Sequence, residues 1–334
     1  MNKKKIEKNT LREPAARLPD ITEDMWLTVN EDYRNLVEEY LSVQAHSGET
    51  KKQYTSCLKQ FGWYVANSMN NKMFYKLTKR DFLRYISFLR DTRKMSSSAI
   101  SLRKACVSSL CNYIENVVAE DDDNYKSFRN FTRGLPAIPK NRVYDKIKVT
   151  KDEYDYLMQV LESDENYLGM AWLAVAFRVG ARRSEIIQFK SEIINYEVPD
   201  GQNYVLSHQV RGKGRSTDGK ILQYMIPLDV LPHIKKWLIV RGYDHEYIFT
   251  SKYGGLINKV SSTWADDFCA NTLSDILGRR INVHIFKNSC ITYLLESGIE
   301  ISLVSKFVAH HENISTTSIY DLRDFEEEKN QIFN

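Results

Sequence analysis

The chain has 334 residues, of which 43% are hydrophobic, so it is long and apolar enough for two or three domains with buried cores and is not a disordered polymer. Its 47 Lys and Arg exceed its 43 Asp and Glu by 4, a mildly basic balance that is compatible with nucleic acid but does not establish it. The 5 cysteines form no C-x-x-C pair, no apolar run approaches about 18 residues, and the N-terminus lacks a signal-peptide core. These features exclude a secreted disulfide framework and a membrane partner, and we expect a soluble cytoplasmic protein.

The N-terminal third is predicted to be a polar arm followed by a helical bundle. Residues 1–31 are rich in lysine and arginine, and they form either a segment that contacts nucleic acid or a neighbouring subunit, or a frayed solvated terminus. Residues 32–118 show helical spacing of apolar residues throughout, which predicts four short helices in a compact bundle. The N-cap candidates are Thr50, Thr78 (with Asp81 in the capping-box position) and Ser96.

Residues 119–148 have the composition of a linker. A run of aspartates ends the bundle, and Gly134, Pro136 and Pro139 interrupt regular structure. A basic connector suits a chain that crosses a phosphate backbone, although it is equally typical of a plain solvated linker. The basic residues of this stretch are Lys140, Arg142, Lys146 and Lys148.

A second domain is predicted over residues 149–320. Thr150 and Glu153 form a capping box, and the apolar run 168–179 predicts a buried helix that Gly180 ends. Arg182 therefore lies at a corner between two helices, where a rigid scaffold can present a cation.

The middle of this domain is predicted to contain a small β-sheet. The runs 203–210 and 220–228 read as strands on either side of a polar turn that contains Lys213. A helix over 229–240, a short strand over 247–250 and a helix over 261–277 follow.

The segment from His284 to Tyr320 carries the strongest chemical signal. His284 and Lys287 lie one helical turn apart, an apolar helical pattern follows, and His310, His311 and Tyr320 complete the stretch. A tyrosine placed behind histidines and cations indicates a phenolic nucleophile aimed at a phosphate that the cations hold.

These motifs resemble the tyrosine recombinases of the phage integrase family. Their box II has the form H-x-x-R, a helix, L-G-H, a short polar run such as S-I-S-T-T, and I-Y; the ISTTSIY run here has the same spacing from His311. Two positions depart from it, since Lys287 stands where the family has arginine and His310 where it usually has glycine. The GARRSE stretch resembles box I, T-G-x-R-x-x-E, with Arg182 at the catalytic arginine and Glu185 at the acidic residue that supports it.

The resemblance implies a role for each matching side chain in phosphodiester cleavage. Tyr320 corresponds to the nucleophile that forms a 3′-phosphotyrosine, Arg182 to a phosphate clamp, and Lys213 to the acid that protonates the 5′-oxygen. His284 corresponds to the histidine that handles the tyrosine proton or a phosphate oxygen, and His311 to a donor to a non-bridging oxygen. No metal or other cofactor is implied.

The resemblance also implies the fold and the partner. The motifs E-T-x-x-x-Y, L-T-x-x-D and S-S-x₅-R of the N-terminal bundle resemble the helical, SAM-like core-binding domain of the family. The expected fold is therefore mainly α with a small β-sheet, an N-terminal core-binding domain preceding a C-terminal α+β catalytic-type domain. The expected partner is double-stranded DNA, with self-association on DNA as a dimer or tetramer. The candidate DNA-facing residues of the bundle, each of which also fits an ordinary solvated helix face, are Lys51, Lys52, Arg80, Arg84, Ser97, Ser101, Arg103 and Lys104.

Two functions remain open at this stage. One is a site-specific recombinase that acts through Tyr320. The other is a recombinase-fold DNA-binding regulator of a phage or mobile element, similar to phage repressors of the SPβ master-repressor type, in a bacterial cytoplasm. Three features favour the regulator: Lys287, His310 and the short acidic tail 321–334. At Lys287, a lysine lacks the planar fork with which an arginine binds two phosphate oxygens at once. Losing one well-placed transition-state donor lowers the cleavage rate by about 10²–10³.

Overall fold

The computed structural model describes residues 20–140, 147–212, 214 and 219–323. They form two compact units, residues 20–140 and residues 147–323. The predicted fold class is confirmed, because the chain is mostly helical with small antiparallel strand pairs. No helix among the described residues is both long and apolar enough to cross a membrane. Several sequence predictions fall outside the described residues: those for the arm up to residue 19, Arg142, Lys146, Lys213 and tail residues 324–334.

The N-terminal unit is a helical bundle whose helices begin at side-chain caps. Thr78 and Asp81 form the predicted capping box, and Ser96 caps the helix after it, as predicted. The prediction that Thr50 caps a helix is wrong, because Ser47 accepts a hydrogen bond from the Thr50 amide and the helix begins at Gly48. The helices are α1 (Glu23–Leu27), α2 (Glu31–Val43), α3 (Gly48–Ser68), α4 (Lys79–Ser87), α5 (Ser97–Tyr113) and α6 (Ala119–Asp121), with π turns at Phe88–Thr92 and Ile114–Val118.

Buried aromatic rings fill the core of this unit and extend it beyond the predicted boundary at residue 118. Phe74 packs against Phe128 and Phe131 at ring-centroid distances of 5.7 and 5.4 Å. Tyr125 is fully buried and its hydroxyl donates to Asp32. The first part of the predicted linker therefore belongs to the packed unit, since three aromatic side chains there are removed from water.

The C-terminal unit is built around one buried helix. Thr150 and Glu153 form the predicted capping box, and Gly180 ends the buried helix in the left-handed conformation, with φ of 67°. A Cβ at Gly180 would lie 2.9 Å from Cys290 Sγ, so only glycine allows this close approach. The helices are α7 (Lys151–Ser163), α8 (Tyr167–Val179), α9 (Arg183–Ile186), α10 (Leu231–Arg241), α11 (Ser262–Asp267), α12 (Ser274–Leu277), α13 (Val283–Glu296), α14 (Ile301–Leu303) and α15 (Ile314–Ser318), with π turns at Phe268–Leu273 and Val304–Ala309.

The strands of the described residues pair in three separate antiparallel ribbons. Each predicted long strand divides in two, because the Ser207 hydroxyl accepts from the Tyr224 amide at 2.9 Å and takes the place of a ladder bond. The prediction of a strand over 247–250 is also wrong, since that strand begins at Thr250. The pairs are β1 (Tyr204–Leu206) with β4 (Met225–Pro227), β2 (Val210–Gly212) with β3 (Lys220–Leu222), and β5 (Thr250–Tyr253) with β6 (Leu256–Lys259).

Candidate functional site

Arg182 lies at the corner between α8 and α9, where the sequence predicts it. Its amide donates to Glu185 Oε2 at 2.6 Å, and its Nη1 donates to Glu185 Oε1 at 3.0 Å. Glu185 is fully buried, whereas the Arg182 side chain is 28% exposed. The guanidinium is therefore held from one side by a buried carboxylate and is open to a ligand on the other.

Tyr224 completes the support of Glu185. Its buried hydroxyl donates to Glu185 Oε2 at 2.6 Å. Burial favours the neutral acid, but the hydrogen bonds from Tyr224 and Arg182 and the charges of Arg182 and Lys287 hold the pKa of Glu185 below its ordinary value. The carboxylate thus stays ionised and keeps its bonds to Arg182.

Lys287 projects from α13 into the interior. It is 5% exposed, and its Nζ donates to the main-chain oxygen of Ala309 at 3.0 Å. Ala309 ends the π turn Val304–Ala309, so the lysine satisfies a carbonyl at the end of a helical segment. Burial, followed by the repulsion of nearby Arg182, lowers the pKa of Lys287 to about 8.

His310 adopts the left-handed conformation that glycine favours. Its φ is 52°, and its ring meets the Tyr224 ring edge-on at a centroid distance of 4.7 Å. Burial and the charge of Lys287 lower the pKa of His310 to about 4, which makes the imidazole neutral near pH 7. His310 thus has the backbone conformation expected of the glycine usual at this position, and its ring adds a contact with Tyr224.

His311 and Tyr320 lie against each other near these cations. Their rings stack at 5.2 Å, and His311 Nδ1 shares a hydrogen bond of 2.9 Å with the Thr317 hydroxyl. Burial and then the charges of Lys287 and Arg182 lower the pKa of His311 to about 4. Thr292 of α13 donates to the main-chain oxygen of Tyr320 at 2.9 Å, which fixes the backbone of the candidate nucleophile to the helix that carries Lys287.

His284 is the second residue of α13 and is exposed. Partial burial of the ring, followed by the charges of Arg183, Arg182 and Lys287, lowers the pKa of His284. Arg183 itself is paired with Asp266. Imidazoles beside a partly exposed guanidinium are suited to a phosphate, because a neutral imidazole N–H can donate a hydrogen bond to a phosphate oxygen.

The structure thus brings Arg182, Glu185, His284, Lys287, His310, His311 and Tyr320 into one region of the C-terminal unit. The predicted general acid, Lys213, lies outside the described residues and is not placed. Sequence reasoning missed Tyr224, Thr292 and Thr317. The strand pattern around Tyr224 indicates burial, and a buried tyrosine hydroxyl needs a partner, but no local signal names Glu185 as that partner.

The candidate DNA-facing residues differ in solvent exposure and in the contacts that they already make. Lys51, Lys52, Arg80, Arg84, Ser101 and Lys140 are exposed, and Lys104 is half-buried. Ser97 is buried in the first turn of α5, which removes it from the surface. Arg103 donates to Gln60 and to the Ala99 carbonyl, and Lys148 pairs with Glu296, so both already have protein partners.

Comparison with known proteins agrees with this geometry. The pattern of the phage integrase family matches residues 148–327, and the chain belongs to this family. It is 61% identical over 332 residues, 99% of each chain, to the SPbeta prophage-derived recombinase-like protein YomM of Bacillus subtilis (strain 168). It is 24% identical over 294 residues to tyrosine recombinase XerA of Pyrococcus horikoshii, covering 87% of this chain and 89% of that relative.

Solved structures share the fold. The Tn1549 transposon integrase in complex with transposon right end DNA matches with a TM-score of 0.66 and 11% identity, covering 90% of this chain and 98% of that one. The XerH site-specific recombinase bound to a palindromic difH substrate matches with a TM-score of 0.64 and 16% identity, covering 96% and 98%. The resemblance predicted from the sequence is therefore confirmed for family and fold.

Proposed function

We propose that this protein is a sequence-specific duplex-DNA-binding regulator of a phage or mobile element, built on a recombinase fold whose cleavage site is degraded. The observation that carries the proposal is Lys287, because its ammonium is buried and already bound to the Ala309 carbonyl. A point charge in that position cannot grip two phosphate oxygens as the planar fork of an arginine does. The remaining cations still suit ground-state binding of a phosphate.

Two findings support DNA as the partner. Arg182 is held in place yet is partly open, which suits contact with a backbone phosphate. Solved relatives with the same fold are bound to DNA, among them a lambda integrase dimer on a core site and a tetramer on a Holliday junction. The same structures support self-association on DNA, as a dimer or tetramer, and the proposal places the protein in the cytoplasm of a bacterial host.

An active site-specific recombinase is the second candidate. Tyr320 is stacked on His311, and Arg182, which is paired with Glu185, is among the charges that act on that histidine. Since the loss of one transition-state donor slows cleavage by about 10²–10³, the geometry is compatible with slow strand cleavage.

The test begins with selection of bound sequences from a random duplex library at moderate salt. On the selected site we expect Arg182→Ala to weaken binding by about tenfold or more, because a charge-assisted contact is lost. Tyr320→Phe should bind like the wild type, because its hydroxyl is needed only when a bond is made. Failure to select any preferred sequence would contradict the proposal.

A suicide substrate built on the selected site separates the two candidates. For a regulator, neither the wild type nor Lys287→Arg forms a covalent adduct, because catalytic groups that act as a unit are not restored one at a time. A wild-type adduct that Tyr320→Phe abolishes would establish the recombinase. Rescue by Lys287→Arg of about 10²-fold would show that one substitution separates this chain from an enzyme.

A further inference from the structure

Tyr224 joins two parts of the site that are far apart in the chain. It lies between β3 and β4 and is fully buried. Its hydroxyl donates to Glu185, which follows α8, and its ring packs edge-on against His310, which follows the π turn Val304–Ala309. The family resemblance assigns no role to this position.

The hydroxyl of Tyr224 controls the freedom of the Glu185 carboxylate. Each oxygen of that carboxylate has an Arg182 donor, Nη1 on Oε1 and the main-chain amide on Oε2. Tyr224 adds a second donor to Oε2, so rotation of the carboxylate about its last torsion would break a buried hydrogen bond. A fixed carboxylate fixes the Arg182 guanidinium, whose other side is open.

The ring of Tyr224 supports the second part of the site. A left-handed backbone conformation is costly for a residue with a Cβ, and it persists only where surrounding contacts determine it. The edge-on contact with Tyr224, with an interplanar angle of 87°, is such a contact for His310. His310 directly precedes His311, whose ring stacks on Tyr320, so the Tyr224 contact lies next to the second part of the site.

We propose that Tyr224 is a positioning residue that holds Arg182, through Glu185, in the orientation that grips a DNA phosphate. The inference rests on the proposed function for the identity of the ligand. Tyr224 itself does not touch the phosphate, and its effect on binding passes through Arg182.

Tyr224→Phe tests the hydroxyl alone, since the phenyl ring still packs against His310 and Phe189. The matched control is Tyr85→Phe, because Tyr85 is also almost fully buried but its hydroxyl has no partner among the described residues. A general effect of removing a buried hydroxyl would appear in both variants. A positioning effect appears in the Tyr224 variant only.

The deciding measurement is a double-mutant cycle on the selected DNA site across a salt series. We expect Tyr224→Phe to weaken binding by about tenfold and to lower the log–log salt slope by about one unit, the signature of one lost phosphate contact. In an Arg182→Ala background the same change should not weaken binding further, because Tyr224 affects DNA binding only through Arg182. Equal weakening in both backgrounds, or an unchanged affinity and slope, would overturn the proposal.

A DNA-free measurement keeps this inference separate from the proposed function. NMR relaxation of the Arg182 Nε–Hε group reports the order of the guanidinium in the free protein. Tyr224→Phe should lower that order, whereas Tyr85→Phe should not. If the wild type selects no DNA, the proposed function fails while a loss of Arg182 order still supports the positioning role; unchanged order in the Tyr224 variant would refute it.

Discussion

At the scale of single residues, Lys287 distinguishes this site from the family pattern. An arginine at that position keeps its charge at any physiological pH, whereas the buried Lys287, with a pKa of about 8, loses part of its charge under mildly alkaline conditions. Lys287 also satisfies the main-chain carbonyl of Ala309 at the end of a helical segment. The residue therefore contributes to the shape of the site through this main-chain contact.

The lowered pKa of Lys287 predicts a defined pH dependence of stability. The unfolded chain keeps this lysine protonated up to about 10.4, while the folded protein releases the proton near pH 8. The unfolded state binds more protons in this window, so the free energy of unfolding rises with pH through it, by up to about 1.4 kcal/mol per pH unit. Lys287→Met lacks this term, and the wild type should gain stability relative to it between pH 8 and 10.

Urea denaturation at half-unit pH steps measures the effect as a difference between the two proteins. Lys306→Met is the control, because Lys306 is exposed on the neighbouring π turn. Its curve should run parallel to that of the wild type. Parallel curves for wild type and Lys287→Met would show that the lysine stays charged in the fold.

Individual site residues were predictable where the motif is local. The spacing of Arg182 to Glu185 and of His311 to Tyr320 is visible in the sequence, since the members of each pair lie three and nine residues apart. Tyr224 and Thr292 were not predictable, because their partners are 39 and 28 residues away in the chain. Only the packing of the strand and of α13 decides which hydroxyl meets which acceptor.

At the scale of elements, one side chain links the turn that carries Arg182 to strand β2. The carboxamide of Gln188 accepts from the Arg211 amide and donates to the Arg211 carbonyl, both at 2.9 Å, as a neighbouring strand would do. Gly212 follows directly, and a Cβ there would lie 3.2 Å from Glu185 Oε1. The strand is thus held against the same carboxylate that positions Arg182.

Gln188→Ala should release β2 from this anchor. Two hydrogen bonds to the main chain are lost at the edge of a two-stranded ribbon, so we expect amide exchange at Arg211 to become about tenfold faster or more. Hydrogen exchange followed by NMR measures it residue by residue. Gln223→Ala is the matched control, since within the described part of the chain Gln223 donates one bond, to the Ser207 carbonyl. Unchanged exchange at Arg211, or an equal change in both variants, would contradict the anchoring.

The helices were more predictable than the strands. The N-caps Thr78 and Thr150 are predictable because each forms a capping box with an acidic residue three positions later. The end of α8 is predictable from Gly180 alone. The strand at Thr250 was misplaced because the preceding residues are paired elsewhere, with the Ile248 amide donating to the Phe189 carbonyl. A hydrogen bond between residues 59 positions apart cannot be predicted from a local sequence pattern.

At the scale of the whole molecule, each unit has a hydrophobic core of its own, so each has the means to stay folded when the connector is cut. If both units bind DNA, the connector makes the second binding event intramolecular, and affinity exceeds that of either unit without any additional contact. The contribution of the connector to DNA affinity can then be measured by cutting it.

We expect that cutting the connector weakens DNA binding by about 10²–10⁴ while both units stay folded. A protease site inserted between residues 140 and 147 allows the same preparation to be compared before and after cleavage, with circular dichroism as the check on folding. The control carries the site in the exposed turn at Gly201, within the C-terminal unit, where cleavage leaves the connector intact. Because cleavage there removes no link between the units, its affinity should hardly change. Equal affinities of the connector-cut and uncut proteins would mean that one unit alone accounts for DNA binding.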